Sequence, residues 1–188
     1  MKKILLTLAL IAVTAASGFA QHLGVKTNTL EWLATTPNLG LEVGLGPFIT
    51  LDVDGAYNPF SFKDERRIQG WAVQPELRYW FTYKYSGHFI GLHGQYCAYD
   101  AGVDKYNYLG NMYGAGLSYG YVFPMSERWR LELNIGAGWM RFNSKVSDRF
   151  YNYTRNDSVE GVIMYDPIVN ADKFGITRIG VSFTYLIF

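Results

Sequence analysis

Residues of opposite polarity alternate along most of this chain, and no other sequence feature restricts its fold as much. A period of two places successive side chains on opposite faces of a β-strand, whereas an amphipathic helix needs a period near 3.6. Between residues 129 and 137, for example, tryptophan, leucine, isoleucine and alanine take the odd positions, and arginine, glutamate, asparagine and glycine take the even ones. The pattern predicts eight antiparallel strands, at Leu23–Leu30, Leu39–Gly46, Ile49–Tyr57, Trp71–Thr82, Phe89–Tyr99, Met112–Phe123, Trp129–Phe142 and Ile176–Phe188.

The connections between these segments alternate in length. Three are short: Gly46-Pro47, Tyr83–Gly87 and Pro124–Arg128. Four are longer: Glu31–Asn38, Asn58–Gly70, Asp100–Asn111 and Asn143–Gly175. Short turns on the periplasmic side and long loops outside are typical of bacterial outer-membrane barrels. We therefore expect an all-β fold, an eight-stranded antiparallel up-and-down transmembrane β-barrel.

The first twenty residues have the layout of a secretory signal peptide. Met1-Lys2-Lys3 is a short basic start, Ile4 to Val13 is almost entirely apolar, and Gly18-Phe19-Ala20 supplies a cleavage site of small residues. The apolar run is too short to span a bilayer as a helix, which needs about 20 residues. We expect residues 1–20 to be the signal peptide and residues 21–188 to form the barrel.

The composition fits a barrel whose strands have one face toward lipid. Aromatic residues make up 17% of the chain and 20 residues are glycine, yet the mean hydropathy is only −0.03, well below that of a helical membrane protein. Without the leader the chain has 15 basic and 16 acidic residues, so there is no electrostatic signature of nucleic-acid binding. Cys97 is the only cysteine, which excludes an internal disulfide.

Alternation alone does not say whether the apolar face points outward to lipid or inward to a core. A soluble, lipocalin-like periplasmic carrier would show the same period with the faces exchanged. The export signal, the glycines on the polar face, the scarcity of strand lysines and the position of bulky aromatics near the ends of the apolar faces favour lipid outside. The residues predicted to form this aromatic girdle are Trp71, Phe81, Tyr121, Phe123, Trp129 and Tyr185.

With lipid outside, the polar face lines a narrow lumen. Eight strands enclose a space just wide enough for their own side chains, so we expect a filled interior and no large pore. Buried charges must pair and hydrogen-bond, and the predicted network consists of Lys26, Glu42, Asp52, Asp54, Glu76, Arg78, His93, Arg130, Glu132 and Arg178, with Asn28, Gln74, Gln95 and Asn134.

The last segment resembles the assembly signal of outer-membrane barrels. It has a polar residue, a glycine two positions later and then spaced hydrophobic or aromatic residues; the matching positions are Arg178, Gly180, Phe183, Tyr185 and the terminal Phe188. Tyr185 rather than Phe188 fills the last spaced position. The resemblance implies that the barrel-assembly machinery reads this strand; an ordinary final strand is the alternative.

Longer stretches resemble an uncharacterised family from Gram-negative anaerobes, known only as a domain of unknown function. They are Gly24–Asn28, Ala34–Glu42, Val73–Trp80 and Tyr113–Tyr121, spread over most of the chain. The resemblance implies an outer-membrane barrel of the general kind seen in OmpX and in the membrane domain of OmpA. It implies no biochemical activity.

Sequence motifs with catalytic or metal-binding chemistry are weak. Gly116-Leu-Ser118-Tyr-Gly120 matches the G-x-S-x-G pattern of serine hydrolases, but that motif requires a strand-to-helix turn, and here it lies within a strand. His88 and His93 are five residues apart and fall on opposite faces, and no cluster has the spacing of metal ligands. We predict no catalytic residue, metal or cofactor; a small outer-membrane enzyme acting on lipid is the alternative.

The long connections are the best candidates for recognition, because rigid scaffolds commonly carry binding residues on loops. Asn58–Gly70 combines five consecutive charged residues with phenylalanine, and Asn143–Gly175 is rich in tyrosine. The expected partners are outer-membrane lipids and lipopolysaccharide, the assembly machinery, and an unidentified surface protein or glycan. The expected function is therefore structural or a surface interaction.

Overall fold

A computed structural model describes residues 23–59, 67–103, 106–148 and 169–187. The eight strands form one closed antiparallel barrel in which each strand pairs with its neighbours in the sequence, and β8 pairs with β1. The all-β fold with eight antiparallel up-and-down strands is therefore confirmed. The elements are β1 Leu23–Asn28, α1 Thr29–Leu33, β2 Asn38–Gly44, β3 Ile49–Asn58, β4 Arg67–Trp80, β5 Gly87–Val103, β6 Tyr106–Pro124, β7 Trp129–Asp148 and β8 Val169–Ile187.

The predicted long connection Asp100–Asn111 is wrong. β5 and β6 remain paired through this region, with Asp100 opposite Leu109 and Val103 opposite Tyr106, so only residues 104–105 separate the two strands. Aspartate, asparagine and glycine have low strand propensity, which is why composition alone indicates a loop here. The antiparallel ladder supplies hydrogen bonds to this backbone and outweighs the local preference.

β7 and β8 are also longer than predicted. β7 continues to Asp148 and β8 already begins at Val169, which narrows the predicted connection Asn143–Gly175 to residues 149–168. These residues, like 60–66 in the second long connection, lie outside the described ranges. Strands of 19 and 20 residues span about 60 Å along their axes at ~3.3 Å per residue, roughly twice what a tilted strand needs to cross a bilayer.

The first long connection begins with the helix α1, which the alternation did not predict. β1 ends at Asn28, whose side-chain oxygen accepts a hydrogen bond from the amide of Leu30 and caps the helix. Asn38 at the start of β2 takes over the interrupted ladder: its side-chain oxygen accepts from the Asn28 amide at 2.7 Å and its amide donates to the Asn28 carbonyl at 2.9 Å. The Asn38 side chain therefore continues the hydrogen bonding between β1 and β2, while the Asn28 side chain caps the helix.

Backbone hydrogen bonds join the short connections to neighbouring parts of the same barrel end. The amide of Lys84, between β4 and β5, donates to the carbonyl of Pro47, between β2 and β3, at 2.9 Å. The amide of Leu186 in β8 donates to the carbonyl of Arg128, between β6 and β7, at 2.9 Å. This end of the barrel is thus a connected rim.

β8 carries one irregularity in its pairing with β7. Gly136 lies opposite Arg178, whereas the next residue, Ala137, lies opposite Ile176. Thr177 is therefore the extra residue of a β-bulge, a device that redirects a side chain without ending the strand.

Candidate functional site

The polar faces of the strands line the interior of the barrel and carry an ion network. Arg78 on β4 lies at its centre and is fully buried. Its guanidinium contacts Glu76 at 2.7 Å, Asp52 at 2.7 Å, Glu132 at 2.9 Å and Glu42 at 3.0 Å. One planar cation thus joins carboxylates from β2, β3, β4 and β7, which is a geometry that guanidinium serves better than an ammonium group.

Asp52 on β3 connects this centre to the two strands that close the barrel. Its Oδ2 receives Lys26 of β1 in a short ion pair and Arg178 of β8 at 3.0 Å. Lys26 also lies 3.7 Å from Glu132, and Arg178 forms a short contact with Asp54. First and last strands are therefore linked through one carboxylate as well as through their backbone ladder.

The structure brings nine of the ten residues predicted for the lumen into this interior cluster. Eight of them form the ion pairs, and His93 lies beside them with its Nδ1 3.9 Å from Glu76. Arg130 lies elsewhere: its guanidinium donates to the backbone carbonyls of Tyr85, Ser126 and Trp129 at the short-connection rim. As the second residue of β7, it is too close to the end of the barrel to reach the central carboxylates.

Neutral polar groups complete the network. Thr50 donates to Glu42 at 2.6 Å and Asn134 donates to Glu132 at 2.6 Å, while Ser118 makes a short hydrogen bond to Glu76. Buried carboxylates require such donors, because an unsatisfied charge away from water is costly.

An aromatic cluster closes the interior below the ions, at the end with the short connections. Trp80 and Phe89 are completely buried, with ring centroids 4.9 Å apart, and Val122 packs beside them. The Trp80 indole donates to Thr50 at 2.9 Å, which ties the cluster to the network. A Cβ atom at Gly120 would overlap the Phe89 ring, so this glycine makes room for it.

Alternation places Trp80 on the same face of β4 as Glu76 and Arg78, but it does not reveal this cluster. Its sequence signal was two large aromatics, Trp80 and Phe89, at inward-facing positions near the ends of adjacent segments. Tyr85, in the connection between them, donates to the backbone carbonyl of Glu42 at 3.3 Å, and burial raises the pKa of its phenol. The phenol therefore remains a hydrogen-bond donor.

Thr177, the bulge residue, contacts His93. Its Oγ1 lies 2.8 Å from His93 Nε2. Within the described residues His93 Nδ1 has no hydrogen-bond partner. A regular strand would send alternate residues of β8 to opposite faces, so the bulge is what allows Thr177 and Arg178 both to face the interior. Nothing in the sequence pattern indicates it.

The outer surface of the barrel is apolar. Large side chains such as Leu117, Ile135 and Ile179 are 67%, 52% and 58% exposed, and every strand except β1 contributes at least one residue of this kind. His88 lies on this surface, 4.5 Å in ring centroid distance from Tyr121, and so on the opposite face from His93.

All six residues predicted for the aromatic girdle lie on this outer surface. Trp71 is near the end with the long connections and touches Tyr96, with ring centroids 5.3 Å apart. The other five are near the opposite end, where the ring centroids of Tyr121 and Phe123 are 4.5 Å apart and those of Trp129 and Tyr185 are 5.1 Å apart. Five of the six predicted residues therefore lie at the short-connection end, and Trp71 alone represents the predicted set at the other end.

The residues of the predicted assembly signal divide between the two faces of β8. Arg178 and Gly180 face the interior, and Phe183 and Tyr185 face outward. Phe188 lies outside the described residues. A role of this strand in assembly stays a prediction.

The geometry gives no support to the weak catalytic motif. Ser118 is buried and its hydroxyl is bound to Glu76, so it is not presented on a turn. Among the described residues no group of three or more histidine, cysteine or acidic side chains is arranged to hold a metal ion. Cys97 is half-buried and free. In the described part of the chain no helix is long and apolar enough to cross a membrane.

Comparison with known protein families gives a match over nearly the whole chain. No match was found among curated proteins or among solved structures. Residues 4–187 match the family described as "Protein of unknown function (DUF3575)". The chain therefore belongs to the DUF3575 family.

Proposed function

We propose that this protein is an integral outer-membrane β-barrel without enzymatic activity, which acts in envelope structure or in surface interactions through its long-connection end. The observation that carries the proposal is the distribution of polarity. Ion pairs fill the interior while large apolar side chains cover the exterior. That arrangement suits a barrel surrounded by hydrocarbon, because water would favour the reverse.

The height of the apolar surface supports the same conclusion. On β7, Trp139 and Trp129 face outward ten residues apart and are 41% and 49% exposed. Ten residues at ~3.3 Å extend about 33 Å along the strand, or about 25 Å along the barrel axis at a tilt of ~40°. The apolar band of outer-membrane barrels is about 25 Å tall and is bordered by aromatic residues.

The filled interior argues against a soluble carrier. A lipocalin-like barrel holds its ligand in an apolar cavity at the centre. Here that space contains Arg78, Lys26 and their carboxylates, and an apolar ligand would have to displace charged groups that have no access to water.

The interior also argues against a lipid-modifying enzyme. Ser118 and His93, the two residues such an enzyme would use, both point away from the apolar outer surface. A lipid approaching from the bilayer would meet Leu117 and Tyr119 instead. Lipopolysaccharide, phospholipid and the barrel-assembly machinery are the partners that this proposal implies.

Cell fractionation tests the location. We expect the protein in the outer-membrane fraction, with a gel mobility that changes on boiling, as for folded barrels that resist detergent. Recovery as a water-soluble monomer in the periplasmic fraction would refute the proposal.

The surface role is tested by a deletion confined to residues 149–168. β7 ends at Asp148, whereas β8 begins at Val169 opposite Ser144, so the two ends are offset by about 13 Å at ~3.3 Å per residue. A Gly/Ser linker of about six residues in place of the deleted segment spans this offset and preserves every described strand pair. We expect a folded barrel that has lost binding to cell-surface protein or glycan probes. A matched deletion of residues 60–66 is the control for a general effect of shortening a loop, and loss of folding in the first variant would contradict this division of roles.

A further inference from the structure

A groove lies on the apolar outer surface, where β3, β4, β5 and β6 run side by side. Its volume is about 430 Å³, which lies within the range of about 300–1,000 Å³ found for small-molecule sites. Leu92 and Leu117, which are opposite each other on β5 and β6, are both more than half exposed, so the groove opens to the surroundings of the barrel. The apolar side chains that line it are those of Ile49, Leu77, Tyr79, Ile90, Leu92 and Leu117.

Toward the short-connection rim, the groove reaches a hydrogen-bonded pair of side chains. Tyr119 lies opposite the lining residue Ile90, and its hydroxyl is 2.6 Å from Nδ1 of His88. His88 in turn lies opposite Tyr121 of the aromatic girdle, and both members of the pair are exposed. Aromatic belts lie at the level of the lipid headgroups. In a membrane the pair would therefore lie where the hydrocarbon meets the polar headgroups.

The His88–Tyr119 pair always has one hydrogen left to donate. A neutral imidazole has one N–H, and a phenol has one O–H. If Tyr119 donates to Nδ1, the imidazole N–H is on Nε2; if Nδ1 donates instead, the phenol O–H is left. Among the described residues neither side chain has a second hydrogen-bond partner. Because an unsatisfied donor beside hydrocarbon is costly, an acceptor from the surroundings is favoured here.

The charge of the neighbouring rim favours an anionic acceptor. Within the described residues of the short-connection rim, Lys84, Arg128 and Arg130 are cationic and Glu127 is acidic. Lys84 belongs to the same β4–β5 hairpin as His88, whose carbonyl accepts from the amide of Phe81. An excess of cations attracts a phosphate group, which has negative charge and oxygen acceptors.

We infer that this groove binds one glycerophospholipid, with an acyl chain along Leu92 and Leu117 and the phosphate or ester oxygens at His88 and Tyr119. The inference rests on the proposed membrane location and specifies a lipid site there. Short turns lie on the periplasmic side of outer-membrane barrels, and the leaflet on that side consists of phospholipid rather than lipopolysaccharide.

Native mass spectrometry of the detergent-purified barrel, titrated with phosphatidylglycerol, measures the binding. Diacylglycerol with the same acyl chains should bind at least about tenfold more weakly, because it lacks the charged acceptor. His88→Phe leaves the Tyr119 hydroxyl as a donor and Tyr119→Phe leaves the imidazole N–H, so each single variant should retain part of the affinity. The double variant has neither donor and should lose at least about tenfold.

Two controls separate this site from general contact with lipid. Tyr113→Phe removes a phenol from the same outer face of β6, six residues away, and should bind like the wild type. Leu92→Trp should fill the groove and reduce binding, whereas Ile179→Trp, on the exposed outer face of β8, should not.

Equal affinity of the double variant and the wild type, equal affinity for diacylglycerol, or binding of lipid A as tight as that of phosphatidylglycerol would overturn the inference. A barrel that inserts into vesicles but shows any of these results contradicts the lipid site alone. A protein that is a water-soluble monomer without detergent contradicts the membrane location itself, and this is seen before any lipid is added.

Discussion

Replacing Leu117 by arginine separates a lipid-facing from a water-facing exterior. Leu117 lies on the outer face of β6, 67% exposed, four residues from Tyr113 and four from Tyr121. Each tyrosine is therefore about 13 Å away along the strand, or about 10 Å along the axis at a tilt of ~40°. Leu117 is thus close to the middle of the apolar band.

The two environments predict different magnitudes. Arginine at the bilayer midplane costs a transmembrane barrel about 2–4 kcal/mol, which corresponds to roughly a thirty- to thousandfold loss in the folding equilibrium constant. At an exposed site in water the same replacement would change stability by no more than about 0.5 kcal/mol. No interior contact is altered, since the side chain points away from the network.

The assay is reversible urea unfolding of the barrel in lipid vesicles. Phe123→Arg is the matched control, because Phe123 lies on the same face of the same strand, six residues further toward the short-connection rim. At this depth the cost should fall to about 0–1 kcal/mol. Equal effects of the two substitutions, or no effect of Leu117→Arg, would refute the assignment of lipid to the outer surface.

Three further substitutions test the interior. Gly120→Ala should destabilise the barrel by about 1–3 kcal/mol, because the added Cβ overlaps the Phe89 ring. Gly94→Ala is the control and should leave the stability unchanged, because its Cβ meets nothing closer than 4.0 Å. Equal unfolding midpoints of the two variants would contradict this prediction. Trp80→Ala should destabilise the barrel by about 3–5 kcal/mol and raise its ion conductance in planar bilayers, because it opens the aromatic cluster. Unchanged conductance would show that the charged side chains of the network close the lumen without the aromatic cluster. Thr177→Val should cost about 1–3 kcal/mol in thermal or urea unfolding by leaving His93 Nε2 without its partner, and a neutral effect would mean that the bulge contact does not contribute.

The sequence pattern predicted the fold because alternation and strand count together leave few ways to satisfy the backbone. It also predicted which carboxylates and cations face inward, since Glu76 and Arg78 share a parity on β4 and Glu132 shares a face with Asn134 on β7. The odd or even position of a residue in a strand gives the face on which its side chain lies, but not its height along the barrel axis. Arg130 has the correct parity and still lies at the rim, because it is two residues from a turn.

Other features depend on contacts between strands, which a pattern within one strand does not contain. Asp100 and Leu109 lie in the region that was predicted to be a loop, and they are in strands because β5 and β6 pair there. The bulge at Thr177 changes parity in the middle of β8, and the pairing of Trp80 with Phe89 depends on the register between β4 and β5. Predicting any of these three features requires knowing which residue on the neighbouring strand lies opposite.

The junction of β1 with β8 has a consequence for the order of folding. Lys26 and Arg178, 152 positions apart in the chain, both bind Asp52, and six residue pairs from Leu23↔Ile187 to Asn28↔Ser182 join the two strands. A folding intermediate in which β8 has not yet paired with β1 holds Asp52 without Arg178 and leaves β1 as an open edge. Such an intermediate is a ready template for pairing with other chains, so its lifetime, rather than the stability of the finished barrel, should limit the yield of refolding at high protein concentration.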